Sequence, residues 1–279
     1  MRLGAHMSIS GGVEKAVARG QEVGCEAMQI FTKNSNQWKA KPLAPGEVTA
    51  FRDACQATGI GPVVAHSAYL INLAAPDDTL YEKSIQACLD ELQRCEVLGL
   101  PYLVIHPGAH MGTGEARGLQ RISAAIDRIH RQTPKMQAAI TLEVTAGQGT
   151  VLASKFEHLA TILDQVEEPE RLGFCLDTCH LLAAGYDFRT RQGYEQMMQG
   201  WDDLVGIERI RVIHLNDSKK DLGSHVDRHE HIGQGFIGTQ GFAWLLNDRR
   251  LADLPMILET PKDDNADVRN LATLRSLMH

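Results

Sequence analysis

The chain has 279 residues, 43% of them hydrophobic and 23% charged, the composition of an ordinary folded protein and not of a disordered or collagen-like one. No apolar run approaches the roughly 20 residues a membrane span needs, and the N-terminal MRLGAHMSISGG has neither the apolar core nor the small-residue cleavage site of a signal peptide. The formal charge of −7 argues against a general nucleic-acid binder, which would be basic, unless carboxylates hold metal, in which case three divalent cations would offset most of it.

In chain order, short β-rich runs alternate with helical patterns. The strand candidates are 3–8 (LGAHMS), 27–32 (AMQIFT), 63–68 (VVAHSA), 102–107 (YLVIHP), 139–145 (AITLEVT), 172–177 (LGFCLD), 210–216 (IRVIHLN) and 255–260 (PMILET). Most are continuous apolar runs, as expected of strands covered on both faces in a parallel sheet. The clearest helix between them is 79–98. Tyr81, Ile85, Cys88, Leu92 and Cys95 share one face of it, and Gly99 and Pro101 follow it. Eight β-then-α units in series predict one (β/α)₈ TIM barrel spanning residues 1–279, near the usual size of that fold. An open doubly wound sheet is the alternative, but Gly11-Gly12 is a poor match to its phosphate-loop fingerprint. The longer connections, 33–45, 66–78 and 217–237, fall on the catalytic face of such a barrel. The six cysteines form no CxxC pair, which points to a reduced cytoplasm and away from a zinc ribbon.

His66, His106, Glu143, Asp177, His214 and Glu259 lie at or near the ends of six consecutive predicted strands, and His180, Asp227 and His229 follow in the loops. Imidazole nitrogen and carboxylate oxygen are the donors of hydrolytic Zn²⁺ or Mn²⁺ sites. Taken singly, each residue has a plainer reading: a hydrogen-bonded histidine, a helix cap at Asp177, a buried ion pair at Glu143 or Glu259. Repetition at six adjacent strand ends favours one metal site at the C-terminal mouth. His130, His158 and His279 read as helix-surface or terminal positions, and His110, His225 and His231 as loop residues near the site. His6 ends the first strand without a ligand role. Cys179 reads as a buried neutral thiol.

The segments Phe31-Thr32-Lys33-Asn34, His66 to Leu73, His106-Pro107-Gly108, Glu143 to Gly149, Asp177 to His180, His214 to Asp217 and Asp227-Arg228-His229, in this order and nearly end to end, resemble bacterial endonuclease IV, the abasic-site endonuclease family of base-excision repair. The resemblance implies three Zn²⁺ ions. His66, His106 and Glu143 would hold the first, Glu143, Asp177, His214 and Glu259 the second, and His180, Asp227 and His229 the third. Mn²⁺ or Fe²⁺ are acceptable at such O/N sites. It also implies a monomer that hydrolyses the phosphodiester 5′ to an abasic site in duplex DNA and clears 3′-blocked ends. Glu143 and Glu259 would be the catalytic carboxylates, with no protein nucleophile. Tyr69 and Leu70 match the family's wedge, whereas Asn36 stands where well-known members carry arginine. Lys33, Lys39, Lys41, Lys219, Lys220 and Arg228 are candidate phosphate contacts. The principal rival is a metal-dependent sugar isomerase or epimerase of the xylose isomerase-like class. It would use Glu143, Asp177, His214 and Glu259 but leaves the other five ligand candidates unexplained.

Overall fold

Eight strands pair in parallel and close on themselves in the computed structural model, which describes residues 1–279. They are β1 (Arg2–His6), β2 (Ala27–Phe31), β3 (Val63–His66), β4 (Tyr102–Ile105), β5 (Ala139–Glu143), β6 (Leu172–Asp177), β7 (Ile210–His214) and β10 (Pro255–Leu258). Spatial order follows chain order around the barrel, and β10 closes it against β1. β8 (Asp217–Ser218) and β9 (His229–Glu230) form a separate antiparallel ribbon inside the long connection after β7. The expected TIM barrel is therefore present, with all eight strand candidates in place. Several end one or two residues earlier than predicted, because the ladder stops where the chain turns out at the mouth.

The helices are α1 (Val13–Val23), α2 (Pro45–Thr58), α3 (Asp78–Leu98), α4 (Glu115–Gln132), α5 (Phe156–Gln165), α6 (Thr178–Ala184), α7 (Arg191–Leu204), α8 (Gly238–Leu246) and α9 (Ala266–Ser276). In α3, the predicted face of Tyr81, Ile85, Cys88, Leu92 and Cys95 is the buried one. Asp77 caps its start by accepting from the Leu80 amide at 2.7 Å, and Gly99 ends it at φ 79°, a left-handed conformation a side chain would oppose. No helix is long and apolar enough to cross a membrane.

Two cores result. A large one fills the space between strands and helices. A small separate one, Ala27, Val64, Val104, Cys175, Val212 and Ile257, fills the barrel interior. The registers are staggered: Gln29 pairs level with Val64, His66 with Val104 and Glu143 with Cys175. Such a stagger is what strand tilt in a closed barrel requires.

Candidate metal centre

Side chains along a strand alternate between the two faces of the sheet. Two residues beyond each member of the interior core, on the same face and nearer the mouth, stand Gln29, His66, His106, Asp177, His214 and Glu259. Thr141 and Glu143 on β5, and Gly4 and His6 on β1, keep the same step. Every barrel strand thus places one polar side chain in a single layer above an apolar plug. Six of these eight are candidates from sequence. Gln29 is not among them, and His6 has no expected role. The signal that finds Gln29 is its i+2 spacing from Ala27 within an otherwise apolar strand.

Glu143 is fully buried at the centre of the layer. Its Oε2 lies 3.2 Å from His66 Nε2 and 3.0 Å from His106 Nε2. Its Oε1 lies 3.1 Å from His214 Nδ1 and 3.2 Å from His180 Nδ1. His214 Nδ1 is also 3.2 Å from Glu259 Oε2 and 3.8 Å from Asp177 Oδ2. Across the mouth, Asp227 stands between His180 Nε2 at 3.2 Å and His229 Nε2 at 3.3 Å. The nitrogen and carboxylate donors fall into three groups, each within 4.8 Å: His66, His106 and Glu143; Glu143, Asp177, His214 and Glu259; and His180, Asp227 and His229; two further groups bring in the thiols of Cys175 (with Glu143 and His214) and Cys179 (with Asp177 and His229).

The surrounding bonds aim these atoms. His66 Nδ1 donates to the Ser67 carbonyl at 2.8 Å and His229 Nδ1 to the Glu259 carbonyl at 3.0 Å. In both rings the lone pair is left on Nε2, which faces the cluster. His180 Nδ1 donates to the Val144 carbonyl at 2.9 Å, with the same result. His214 is turned the other way. Its Nε2 donates to Gln29 Oε1 at 2.8 Å, leaving Nδ1 inward. Gln29 Nε2 donates to Glu259 Oε1 at 2.5 Å and to His6 Nδ1 at 3.0 Å. Asn216 donates to Asp177 Oδ2 at 2.6 Å and accepts from the Glu259 amide at 2.7 Å. Asp177 Oδ1 accepts from the His180 amide at 2.9 Å, so this residue both caps α6 and faces the cluster.

Electrostatics follow from packing four carboxylates among five imidazoles. Burial alone would raise the Glu143 carboxyl, but the His106 and His214 rings outweigh it and hold it well below the usual range. Glu259 behaves likewise under His214 and His6. Burial would lower His180, yet the Asp177, Asp227 and Glu143 carboxylates together hold it well above its ordinary value, through a proton that a cation on Nε2 would replace. Burial would raise Asp227, but the His180, His229 and His106 rings together outweigh it and bring it to about 2.

These residues fit a cluster of divalent cations. His180 Nε2 and His229 Nε2 are buried, and although each lies beside an Asp227 oxygen, neither makes a well-aligned hydrogen bond, an arrangement costly for a polar atom unless something electropositive sits between them. Every donor of the three groups is a nitrogen or carboxylate oxygen, the set that suits Zn²⁺, Mn²⁺ or Fe²⁺. Cys179 lies beside Asp177 and His229, but burial pushes its thiol up to about 12 and keeps it neutral, as expected.

The other candidates divide. Tyr69 is 66% exposed with its ring 5.5 Å from Phe31, Leu70 is half-buried, and Asn36, Lys39, Lys41, Lys219, Lys220 and Arg228 are exposed. Lys33 is a correction: it is 3% exposed and its ammonium bonds Asp90 and the Trp38 carbonyl, each at 3.0 Å, so it does not reach a phosphate. His130 and His158 are also corrections. Both are buried, because each has a structural task that helix periodicity does not reveal. His158 accepts from the Ala153 amide at 3.2 Å. His130 packs against Arg171, which bonds its carbonyl at 3.1 Å. In the loops, His110 accepts from the Gly112 and Gly114 amides, and His231 pairs with Asp263 at 3.2 Å. His279 is exposed as expected.

Residues 17–277 match the family model described as a xylose isomerase-like TIM barrel. The chain is 59% identical over 279 residues to a protein of Chloroflexus aurantiacus called probable endonuclease 4, covering 99% of this chain and 98% of that one. Endonuclease IV from Thermus thermophilus superposes with a TM-score of 0.89 at 38% identity, over 99% of this chain and 98% of that one. A D-tagatose 3-epimerase-like protein reaches 0.77 over 99% and 97% of the two chains, but at 17% identity, which speaks for the shared barrel alone, so the isomerase reading is the less supported of the two. The chain belongs to the endonuclease IV family of xylose isomerase-like TIM barrels.

Proposed function

We propose that this protein is a metal-dependent AP endonuclease that hydrolyses the phosphodiester 5′ to abasic sites in duplex DNA, leaving a 3′-hydroxyl and a 5′-deoxyribose phosphate, and that it also clears 3′-blocked ends. The observation that carries the reading is Glu143, whose two oxygens face two different donor groups from a fully buried position. Family membership supports the reaction class. His66, His106 and Glu143 would hold one cation, Glu143, Asp177, His214 and Glu259 a second, and His180, Asp227 and His229 a third, with Zn²⁺ the expected ion and Mn²⁺ or Fe²⁺ accommodated by the same donors. Bound there, such cations act as Lewis acids that lower the pKa of water to roughly 7 and offset charge on the phosphate.

The chain's own groups do the rest. Glu143 keeps two donor groups in register, and Glu259, fixed by Gln29 and by Asn216, orients the attacking water. Tyr69 and Leu70, beside His66, fill the gap left by an extruded nucleotide. That extrusion is easier for a residue that has lost its base. Arg228, Lys219, Lys220, Lys39 and Lys41 contact phosphates, and Asn36 lies on the same face with neutral polarity. The protein works as a monomer in the cytoplasm, a compartment consistent with six free cysteines.

Metal analysis paired with cleavage of an abasic oligonucleotide tests the proposal. About three ions per chain and incision 5′ to the lesion, abolished by chelator and restored by Zn²⁺, are expected. Glu143→Gln should lower the rate by a factor on the order of 10³, comparable to losing a preorganised electrostatic group. Near-normal cleavage by that variant with metal still bound would refute the bridging role.

A further inference from the structure

Three charged residues that soluble proteins rarely bury meet along one side of α3. Glu91 at 1% exposure and Arg94 at 8% belong to the helix, and Lys33 at 3% reaches them from the loop after β2. Charges are buried at a cost of desolvation and are retained where they are paired and where they set a register. Here the partners are the backbones of two loops. Both Glu91 oxygens accept from the Ala68 amide, at 3.1 and 3.3 Å. Glu91 Oε1 also lies 3.4 Å from Lys33 Nζ. Lys33 in turn holds the Trp38 carbonyl and Asp90. Arg94 donates to the Thr32 carbonyl through Nε at 3.0 Å and Nη2 at 2.6 Å, and to the Lys41 carbonyl at 3.0 Å.

The 32–41 loop carries Asn36, and Ala68 directly precedes Tyr69 and Leu70. Residue Ala68 also sits two positions past His66, so its amide lies on the path from the metal layer to the exposed tyrosine. One buried carboxylate therefore ties both loops to the same helix. The ring of Phe31, the last residue of β2 before the 32–41 loop, lies 5.5 Å from Tyr69 and 5.8 Å from His66 and so packs against the Tyr69 side as well.

We infer that Glu91, through Lys33 and the Ala68 amide, is a positioning residue that holds the Asn36 loop and the Tyr69–Leu70 loop in mutual register for engaging damaged DNA. This rests on the proposed function for its substrate, but not for its mechanics. Glu91 touches neither the donor groups nor the reacting phosphate; it acts on affinity through loop placement.

The test compares the full-length, metal-loaded wild type with Glu91→Gln and Lys33→Met/Glu91→Gln. Glutamine keeps an oxygen for the Ala68 amide but loses the charge facing Lys33, and the double variant removes the unpaired cation. Glu91→Gln is expected to raise KM for an abasic duplex about tenfold, with kcat within about twofold and binding of undamaged duplex unchanged. Amide exchange, measured without DNA, should show 32–41 and 67–71 losing protection together. The double variant should recover thermal stability without recovering KM. Parallel loss of kcat, metal content and stability, or loss of protection in one loop alone, would overturn the inference. Should wild type fail to cut abasic DNA, the proposed function falls, while the exchange experiment still decides whether Glu91 couples the loops.

Discussion

Gln29→Leu isolates what aims the metal layer. Leucine has nearly the volume of glutamine, so the barrel interior stays filled, while two contacts to donor groups vanish: the 2.8 Å bond that His214 Nε2 gives to Gln29 Oε1 and the 2.5 Å bond that Gln29 gives to Glu259 Oε1. Gln29 is fully buried, so no solvent replaces them. Hydrogen bonds to charged groups contribute about 1.5–3 kcal/mol each. Part of that loss is recovered as His214 and Glu259 reorient, and outer partners of metal ligands typically account for about 10–100-fold in affinity. The expected outcome is a metal affinity weaker by about 30-fold, or about 2 kcal/mol, at the group formed by Glu143, Asp177, His214 and Glu259. Competition with a chromogenic chelator reads this directly, and excess Zn²⁺ should restore most of the cleavage rate. If Gln29→Leu holds its metals against chelator as tightly as wild type, the idea that this amide selects the His214 tautomer is wrong.

Tyr69→Ala should weaken binding of an abasic duplex by about tenfold, the scale of one lost aromatic–base stack; unchanged affinity in a fluorescence titration would discard the wedge. Asn36→Arg adds a cation to an exposed loop position and should tighten DNA binding several-fold with a steeper salt dependence, by roughly one counterion, seen as the slope of log K against log salt. His130 gives a pH signature remote from the metal layer. Burial and then Arg171 push it down to about 4 from 6.5. A histidine lowered in the folded state takes its proton first in the unfolded chain. Stability is therefore complete above pH 6.5 and declines as pH falls toward 4, by on the order of 2 kcal/mol after allowance for screening. His130→Gln should flatten that limb in urea melts across this window, and an identical acid slope in the variant would contradict the assignment.

Much of this molecule is local enough to be legible in sequence. Apolar runs such as 172–177 need both faces covered, so their β character and parallel pairing follow from composition, and the face of α3 follows from its spacing. The ligand candidates are legible because a strand's two-residue period puts Val64 and His66, or Cys175 and Asp177, on one face, and a repeated polar strand end after an apolar run is expensive to keep without a purpose. Lys33, His130 and His158 escape for the opposite reason: a lone charged or imidazole side chain carries no local mark of its partner, and Asp90, Arg171 and the Ala153 amide reach these three only in the folded chain.

The eight βα units and the nine metal-competent side chains at their mouths are written in residues close together in the chain, because strand period and apolar patterning act over a few positions. Folding in three dimensions settled that Glu143 faces two donor groups, that Gln29 turns His214 around, and that Glu91 joins two loops to one helix. Those outcomes depend on barrel closure and stagger, which bring residues far apart in the chain within hydrogen-bonding distance and fix which atom of each ring faces inward.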